Sequence, residues 1–415
     1  MKLAEGVQLH LIKHRQYKTN HITFRFSGEY LQKTVARRAL VAQMLATASQ
    51  KYPNSLSFRK KLASLYGTNL STSVSRRGKT HIVDIELSFI KDKYTFQEES
   101  LLEDVFHFLE EILLAPLVSI AKYSSKVFEL ERDNMARYLE ADKDDVFYSS
   151  QLSLQELYYN DNDLKTPKYG KVSTVLTETS YSAYQEFQRM LNQDILDIFV
   201  VGEYDDYRMI QLFNQLSFSD RHKQLVLDYH QPYSNLIPER THQLPVQQSI
   251  LNVAYHFPIS VNERNFLDAT VAVGMLANYA HSLIFAEIRE KRGLAYQIGA
   301  SFDGFTDLLS VYAGIDKDNR DKVLKLISQQ LSRLKCGRFS NDLLTQTKRL
   351  LLSQRKALED NIYYLIEQRY LREHLKLTYS FEEWCLQLEQ ISKDDIIKVM
   401  RQVKLQALYF IEGQG

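Results

Sequence analysis

The stretch from Ile284 to Ser301, IFAEIREKRGLAYQIGAS, gathers Arg289, Lys291, Arg292 and Tyr296 into one short run. Guanidinium groups and phenol hydroxyls are hydrogen-bond donors, so the chemistry open to them is the holding of oxygen acceptors. Ile284, Phe285 and Ile288 share one face of an amphipathic helix that must position the first of these groups. Gly293 breaks that helix, and Leu294 to Ile298 alternate like the start of a strand. A helix ending on Arg289, Lys291 and Arg292 suits its own negative C-terminal end. Taken alone, the stretch is a basic helix terminus followed by a glycine turn; its wider meaning depends on the rest of the chain.

With 415 residues the chain exceeds one ordinary core and calls for two or more domains. Charged residues make up 25% and hydrophobic residues 44%, an ordinary globular balance. A net charge of +1 argues against nucleic acid as a partner, because phosphate binding calls for a basic excess. Cys336 and Cys385 match neither a disulfide framework nor a zinc-knuckle spacing, which favours a reducing compartment. The start, MKLAEGVQLHLIKHR, lacks the apolar run of a signal peptide, and no later run is long enough for a membrane span. The expectation is a cytoplasmic protein with no membrane partner.

In order, VQLHLIKH and HITFRFSG read as strands, Ala36 to Ser49 and Phe58 to Tyr66 as helices, and Gly67 as a helix stop. A hairpin follows through LSTSVSRRG and HIVDIELSFI, then helices over Leu101 to Leu114, Lys122 to Tyr159 and Tyr181 to Leu191. The strand Ile195 to Gly202 closes the first half. Pro232, Pro238 and Pro245 lie in a polar segment that reads as a linker.

The second half repeats the first. ALVAQMLA at Ala39 matches TVAVGMLA at Thr270, and FRKKLASLYG ending at Gly67 matches IFAEIREKRG ending at Gly293. DIELSF from Asp84 falls opposite SVYAGI from Ser310, and VFELERDNMARYLEADKDD falls opposite LLTQTKRLLLSQRKALEDN. Each half closes on a strand, IFVVGE or LYFIEG. Several element types in fixed order imply a duplicated domain rather than a short solenoid repeat. The expected class is α+β: two homologous domains, 1–220 and 247–415, each a mainly antiparallel sheet with helices on one face, joined by a linker over 221–246.

With that repeat and the run RxKxGLAY at Arg289 to Tyr296, the chain resembles the insulinase/pitrilysin family of zinc peptidases over nearly its whole length. In active members of that family the first domain carries H-x-x-E-H on a helix, whose histidines bind zinc and whose glutamate acts as base, with a later glutamate completing the site. Here the corresponding helix reads Ala39-Leu40-Val41-Ala42-Gln43, so Ala39 and Gln43 replace the two histidines and Ala42 the base. The third ligand position falls near Met135, with Glu131 close by. Alanine offers no donor, and an amide is a poor zinc ligand and no base. No metal and no cofactor are expected in this chain.

The remaining histidines do not rescue a metal site. His107-Phe108-Leu109-Glu110-Glu111 imitates the motif but lacks its second imidazole and falls on the wrong element of the repeat. His10 and His14 on a strand would stand roughly 13 Å apart, too far for one ion. His222, His230, His242 and His256 have no ligand spacing.

What the resemblance carries over instead is the donor pair. In the family the arginine and tyrosine of this run reach substrate carbonyls at the zinc site, and Arg289 and Tyr296 match them by type and spacing. Lys291 and Arg292 do not, and read as solvated or interface charge. Bacterial members of the family include paired chains, one with the zinc motif and one with this pair. The resemblance therefore implies a non-catalytic subunit of a heterodimeric peptidase, inactive alone, with a zinc-bearing homologous partner and peptide substrates; a homodimer of the isolated chain stays open. The alternative is a catalytically silent scaffold subunit of a complex. An independent zinc-free enzyme has no nucleophile–base signature behind it.

Overall fold

A computed structural model describes residues 1–96, 100–118, 122–377 and 379–414. The chain divides into two units, Met1–Asp142 with Thr166–Val226, and Lys143–Lys165 with Leu227–Gly415. Each has its own apolar core, as the length requires.

The first unit is built on a six-stranded sheet in the order β1-β2-β6-β3-β5-β4. Its strands are β1 (Lys2–Ala4), β2 (Val7–Lys13), β3 (Thr19–Glu29), β4 (Asn69–Arg77), β5 (Thr80–Ile90) and β6 (Ile195–Gly202). Alternation in β3 sends Ile22, Phe24 and Phe26 into the apolar core. Its other face carries Arg25, whose guanidinium donates to both carboxylate oxygens of Asp84 on β5, at 2.9 and 2.8 Å. That bidentate pair satisfies two buried charges across neighbouring strands.

Helices α1 (Val35–Leu45), α2 (Ser55–Ser64), α3 (Leu101–Leu114) and α4 (Ser125–Ala141) follow in the first unit. Next come α5 (Val146–Tyr158), α6 (Val172–Thr177), α7 (Ser180–Gln193) and α8 (Asp206–Asn214). The expected 122–159 helical region is thus two helices. The second of them, α5, belongs to the second unit although it lies within the range read as the first domain. Side-chain bonds explain the assignment: Asn252 donates to Ser150 Oγ at 2.7 Å, and the Tyr158 hydroxyl donates to the Asp307 carbonyl at 2.7 Å.

The second unit contains β7 (Glu239–Gln243), β8 (Ser249–His256), β9 (Ala295–Asp303), β10 (Leu308–Ile315) and β11 (Lys404–Glu412) in the order β7-β11-β8-β10-β9. Its helices are α9 (Phe266–Val273), α10 (Arg320–Lys335), α11 (Asn341–Leu358), α12 (Ile362–Leu375), α13 (Phe381–Gln390) and α14 (Lys393–Met400), with π-helical turns at Gly274–Asn278 and Phe285–Glu290. The segment read as a linker, 221–246, supplies β7, which pairs in parallel with β11. All five residues of β7 are exposed, so no apolar alternation marked it as a strand.

The two sheets share one plan. In each, the final strand of the half lies between a parallel and an antiparallel neighbour, β6 between β2 and β3 and β11 between β7 and β8. The antiparallel neighbours β3 and β8 then pair antiparallel with β5 and β10, and these with the edge strands β4 and β9. β3, β5 and β6 therefore correspond to β8, β10 and β11, as the internal repeat requires, and both sheets are mixed. Gly67 and Gly293 both sit at helix ends with φ of 72° and 60°. A side chain at either would meet nothing within 4 Å, so the left-handed backbone alone makes glycine the fitting residue.

Candidate functional site

The residues at the positions of the zinc motif lie on α1 of the first unit. Ala39 and Ala42 are each 3% exposed and belong to the apolar core. Gln43 lies one turn beyond Ala39, and its amide Nε2 donates to Oε2 of Glu131 on α4 at 2.7 Å. Glu131 is buried, and Asn134 one turn further along α4 makes a longer contact to the same oxygen. The acid facing Gln43 is therefore Glu131. Met135, the other position suggested by the sequence, packs into the core.

An amide and a carboxylate in contact form a hydrogen bond that joins two helices. They do not form a metal site, because an amide nitrogen offers no lone pair for coordination and neither alanine offers a ligand. Among the described residues no cluster of three or more His, Cys, Asp or Glu could hold a metal ion.

The histidines set aside in the sequence have other surroundings. His10 is buried, 2.7 Å from Asp197 Oδ1 and stacked on Phe199. His14 stacks on Tyr17. His107 is largely exposed on α3, beside Glu110. His230 contacts the buried Asp307; burial lowers the imidazole pKa, but the hydrogen bond to Asp307 and its charge together raise it above the ordinary value.

Arg289 and Tyr296 lie in the second unit, on either side of Gly293. The helix bearing Arg289 ends in a π-helical turn, where the Lys291 N–H reaches the Ala286 carbonyl. Beyond it, the Leu294 N–H returns to the Ile288 carbonyl and the Gly293 N–H to that of Arg289. These bonds satisfy carbonyls that would otherwise be orphaned at the helix end.

The charges in this turn separate into two groups. Arg292 Nε donates to Glu287 Oε1 at 2.8 Å, and Lys291 Nζ lies 3.5 Å from Glu287 Oε2. The Arg292 bond, then the Lys291 charge, holds the Glu287 carboxyl below its usual pKa. Arg289 stays apart from that cluster, with its guanidinium carbon 4.8 Å from the Phe285 ring and its side chain 45% exposed. Its Nε lies 4.0 Å from Glu290 Oε1.

Tyr296 lies on β9, the edge strand of the second sheet. Gln297 pairs with Gly314 and Ala295 with Ile315, so Tyr296 is the extra residue of a β-bulge. A bulge bends the strand and re-aims a side chain, and this one leaves Tyr296 68% exposed. Neither the bulge nor the Gln43–Glu131 bond was visible in the sequence. The pairing of α4 with α11 in the repeat was the one signal that placed Glu131 on the relevant helix.

The model of a family described as Peptidase M16 inactive domain matches residues 180–351. The curated protein "Probable inactive metalloprotease YmfF" of Bacillus subtilis (strain 168) is 25% identical over 410 residues, covering 98% of this chain and 96% of its own. A conserved protein of Enterococcus faecalis V583, solved by crystallography, is 33% identical and superposes with a TM-score of 0.95, covering 100% of this chain and 98% of that one. A Pseudomonas fluorescens peptidase M16 inactive domain has the same fold at 13% identity, with a TM-score of 0.81 over 99% of this chain and 97% of its own.

Proposed function

We propose that this chain, which belongs to the M16 peptidase family, is the non-catalytic member of a two-chain zinc peptidase and lends Arg289 and Tyr296 to a homologous partner's active site. The observation that carries the reading is a contrast between the two units. The metal positions on α1 hold two methyl groups and an amide committed to Glu131. The donors at the other site are uncommitted: among the described residues neither the Arg289 guanidinium nor the Tyr296 hydroxyl donates a hydrogen bond, while Lys291 and Arg292 are tied to Glu287.

The chemistry available to the pair is recognition of peptide carbonyl oxygens. Zinc held by the partner would activate water. This chain would supply a phenol O–H and a planar guanidinium to the carbonyl under attack and its neighbours. Donors fixed before the reaction stabilise the oxyanion as it forms, and each contributes about 2.7–4 kcal/mol in comparable sites. The partner and its substrate are thereby given by class: a homologous chain with an intact H-x-x-E-H helix, and peptides bound through their backbones.

The test mixes this chain with such a partner and follows complex formation and peptide cleavage together. Tyr296→Phe should assemble normally and slow cleavage about 100-fold. Normal cleavage by a fully assembled Tyr296→Phe complex would remove the tyrosine from the site and leave the silent scaffold as the better account.

A further inference from the structure

We propose that the second unit carries a separate binding site for a small carboxylate on an apolar or aromatic body, in a cavity of about 770 Å³ lined by α9, α11, α12 and α13. That volume is in the range of small-molecule sites. The site shares no residue with the Arg289–Tyr296 pair and stands or falls independently of the peptidase reading.

The anchor is Arg355, in the last turn of α11. Its guanidinium carbon lies 4.4 Å from the ring centre of Tyr364, 5.6 Å from that of Trp384 and 6.0 Å from that of Phe381. The side chain is only 11% exposed, and among the described residues its ion-pair partner is Glu359 at 3.4 Å, itself 42% exposed. Arg355 Nε is buried with no hydrogen-bond partner among the described residues, and so is the Tyr364 hydroxyl. Burial pushes the guanidinium pKa below the usual arginine range, yet an arginine keeps its proton in proteins. A cation held among rings with unmet donors is costly unless an anion completes it.

The cavity's own carboxylates are engaged elsewhere. Glu263 accepts from the Ser260 N–H at 3.0 Å, and Glu383 accepts from the Ser380 N–H at 2.7 Å as part of the α13 cap. Lys376 also lines the cavity and adds positive charge. A carboxylate matches the Nε–Nη edge of one guanidinium in two parallel bonds, which suits a single buried arginine better than a tetrahedral anion does. Leu351, Leu386 and Trp384 offer the remainder of the ligand an apolar wall.

Trp384 is the sole tryptophan of the chain, so its fluorescence reads this site directly. The whole chain is titrated with 3-phenylpropanoate and with N-acetyl-Ala-Phe, each beside its neutral amide. We expect a saturable change with at least one acid, and binding of the matching amide weaker by about tenfold or more. Binding of both acids identifies a peptide C-terminus as an accepted source, and binding of phenylpropanoate alone identifies a small free acid; either supports the site. Tyr364→Phe and Arg355→Lys should fold and bind several-fold more weakly, and Arg355→Met should abolish the preference for acid over amide. No saturable change up to about 10 mM, equal binding of acid and amide, or unaltered affinity in both Tyr364→Phe and Arg355→Lys would overturn the proposal.

Discussion

Gln43 Nε2 donates to Glu131 Oε2 at 2.7 Å, bonding α1 to α4 at the spot where the family resemblance places metal ligands. The internal repeat sets Gly274 opposite Gln43 and Thr347 opposite Glu131. Those two residues are also neighbours, for a Cβ on Gly274 would come within 3.0 Å of Thr347 Cγ2. The same helix-to-helix contact is thus filled by an amide–carboxylate bond in one unit and by close packing in the other.

Removing the donor should therefore cost stability without touching any catalytic group. Gln43→Ala leaves the buried Glu131 carboxylate short of its best partner, and we expect a loss of about 1–3 kcal/mol in denaturant unfolding. Gln43→Glu should do worse at pH 8 than at pH 5, because two carboxylates in contact raise one pKa and the folded state then holds a proton that rising pH removes. An unchanged unfolding midpoint in Gln43→Ala would mean that the bond is not made in solution.

Elemental analysis after dialysis should find less than one zinc per chain, and the isolated chain should cleave no peptide. The reason lies in the residues: Ala39 and Ala42 offer no ligand or base, and Gln43 offers an amide already bonded to Glu131. One tightly held zinc per chain would contradict this reading and turn attention to His10, His14 and His107.

The basic turn before Gly293 should respond unequally to substitution. Arg289→Ala is expected to slow cleavage by an assembled complex and to weaken peptide binding, since a guanidinium also holds ground-state carbonyls. Lys291→Ala should leave both unchanged, because that ammonium pairs with Glu287 and is 70% exposed. Steady-state kinetics of the two complexes decide the matter; equal effects would dissolve the distinction.

Asp268, in the first turn of α9, has its pKa pushed up to about 6, mainly by burial and then by the charge of Asp395. Its folded pKa lies above the unfolded value of 3.8, so its contribution is fully present below about pH 4 and lost as pH rises through 6. Asp268→Asn should accordingly stabilise the chain at pH 7.5 and have little effect at pH 4. Because the group is only partly buried and solvent screens it, the gain is about 1 kcal/mol rather than the full shift. Urea midpoints at the two pH values provide the check.

Gly293→Ala should lower stability by about 1 kcal/mol, set by the backbone penalty at a φ of 60°. Gly67→Ala should cost a similar amount, since that site also has open space around it. A much larger loss at Gly293 alone would indicate a contact that the backbone argument does not include.

The sequence by itself determined the duplicated α+β plan. The order of strand and helix patterns, the two glycine stops and the matched runs at Ala39 and Thr270 depend on local periodicity and backbone preference, which are written residue by residue. It also determined that α1 carries no zinc ligands, because that is a matter of side-chain identity. Tertiary structure decided what periodicity does not encode. β7 is a strand only because β11 offers it a free edge, since its own residues are polar and exposed. Helix α5 joins the second unit through bonds to residues about 100 positions away or more. Tyr296 is turned outward by a bulge whose register is set by Gly314 and Ile315 on the neighbouring strand. Glu131 rather than Met135 meets Gln43 because of the rotation at which α4 packs on α1. Arg355 becomes a buried cation among three rings only when α11, α12 and α13 converge. Each of these depends on a contact between distant segments, and such contacts are settled by packing rather than by the residues on either side.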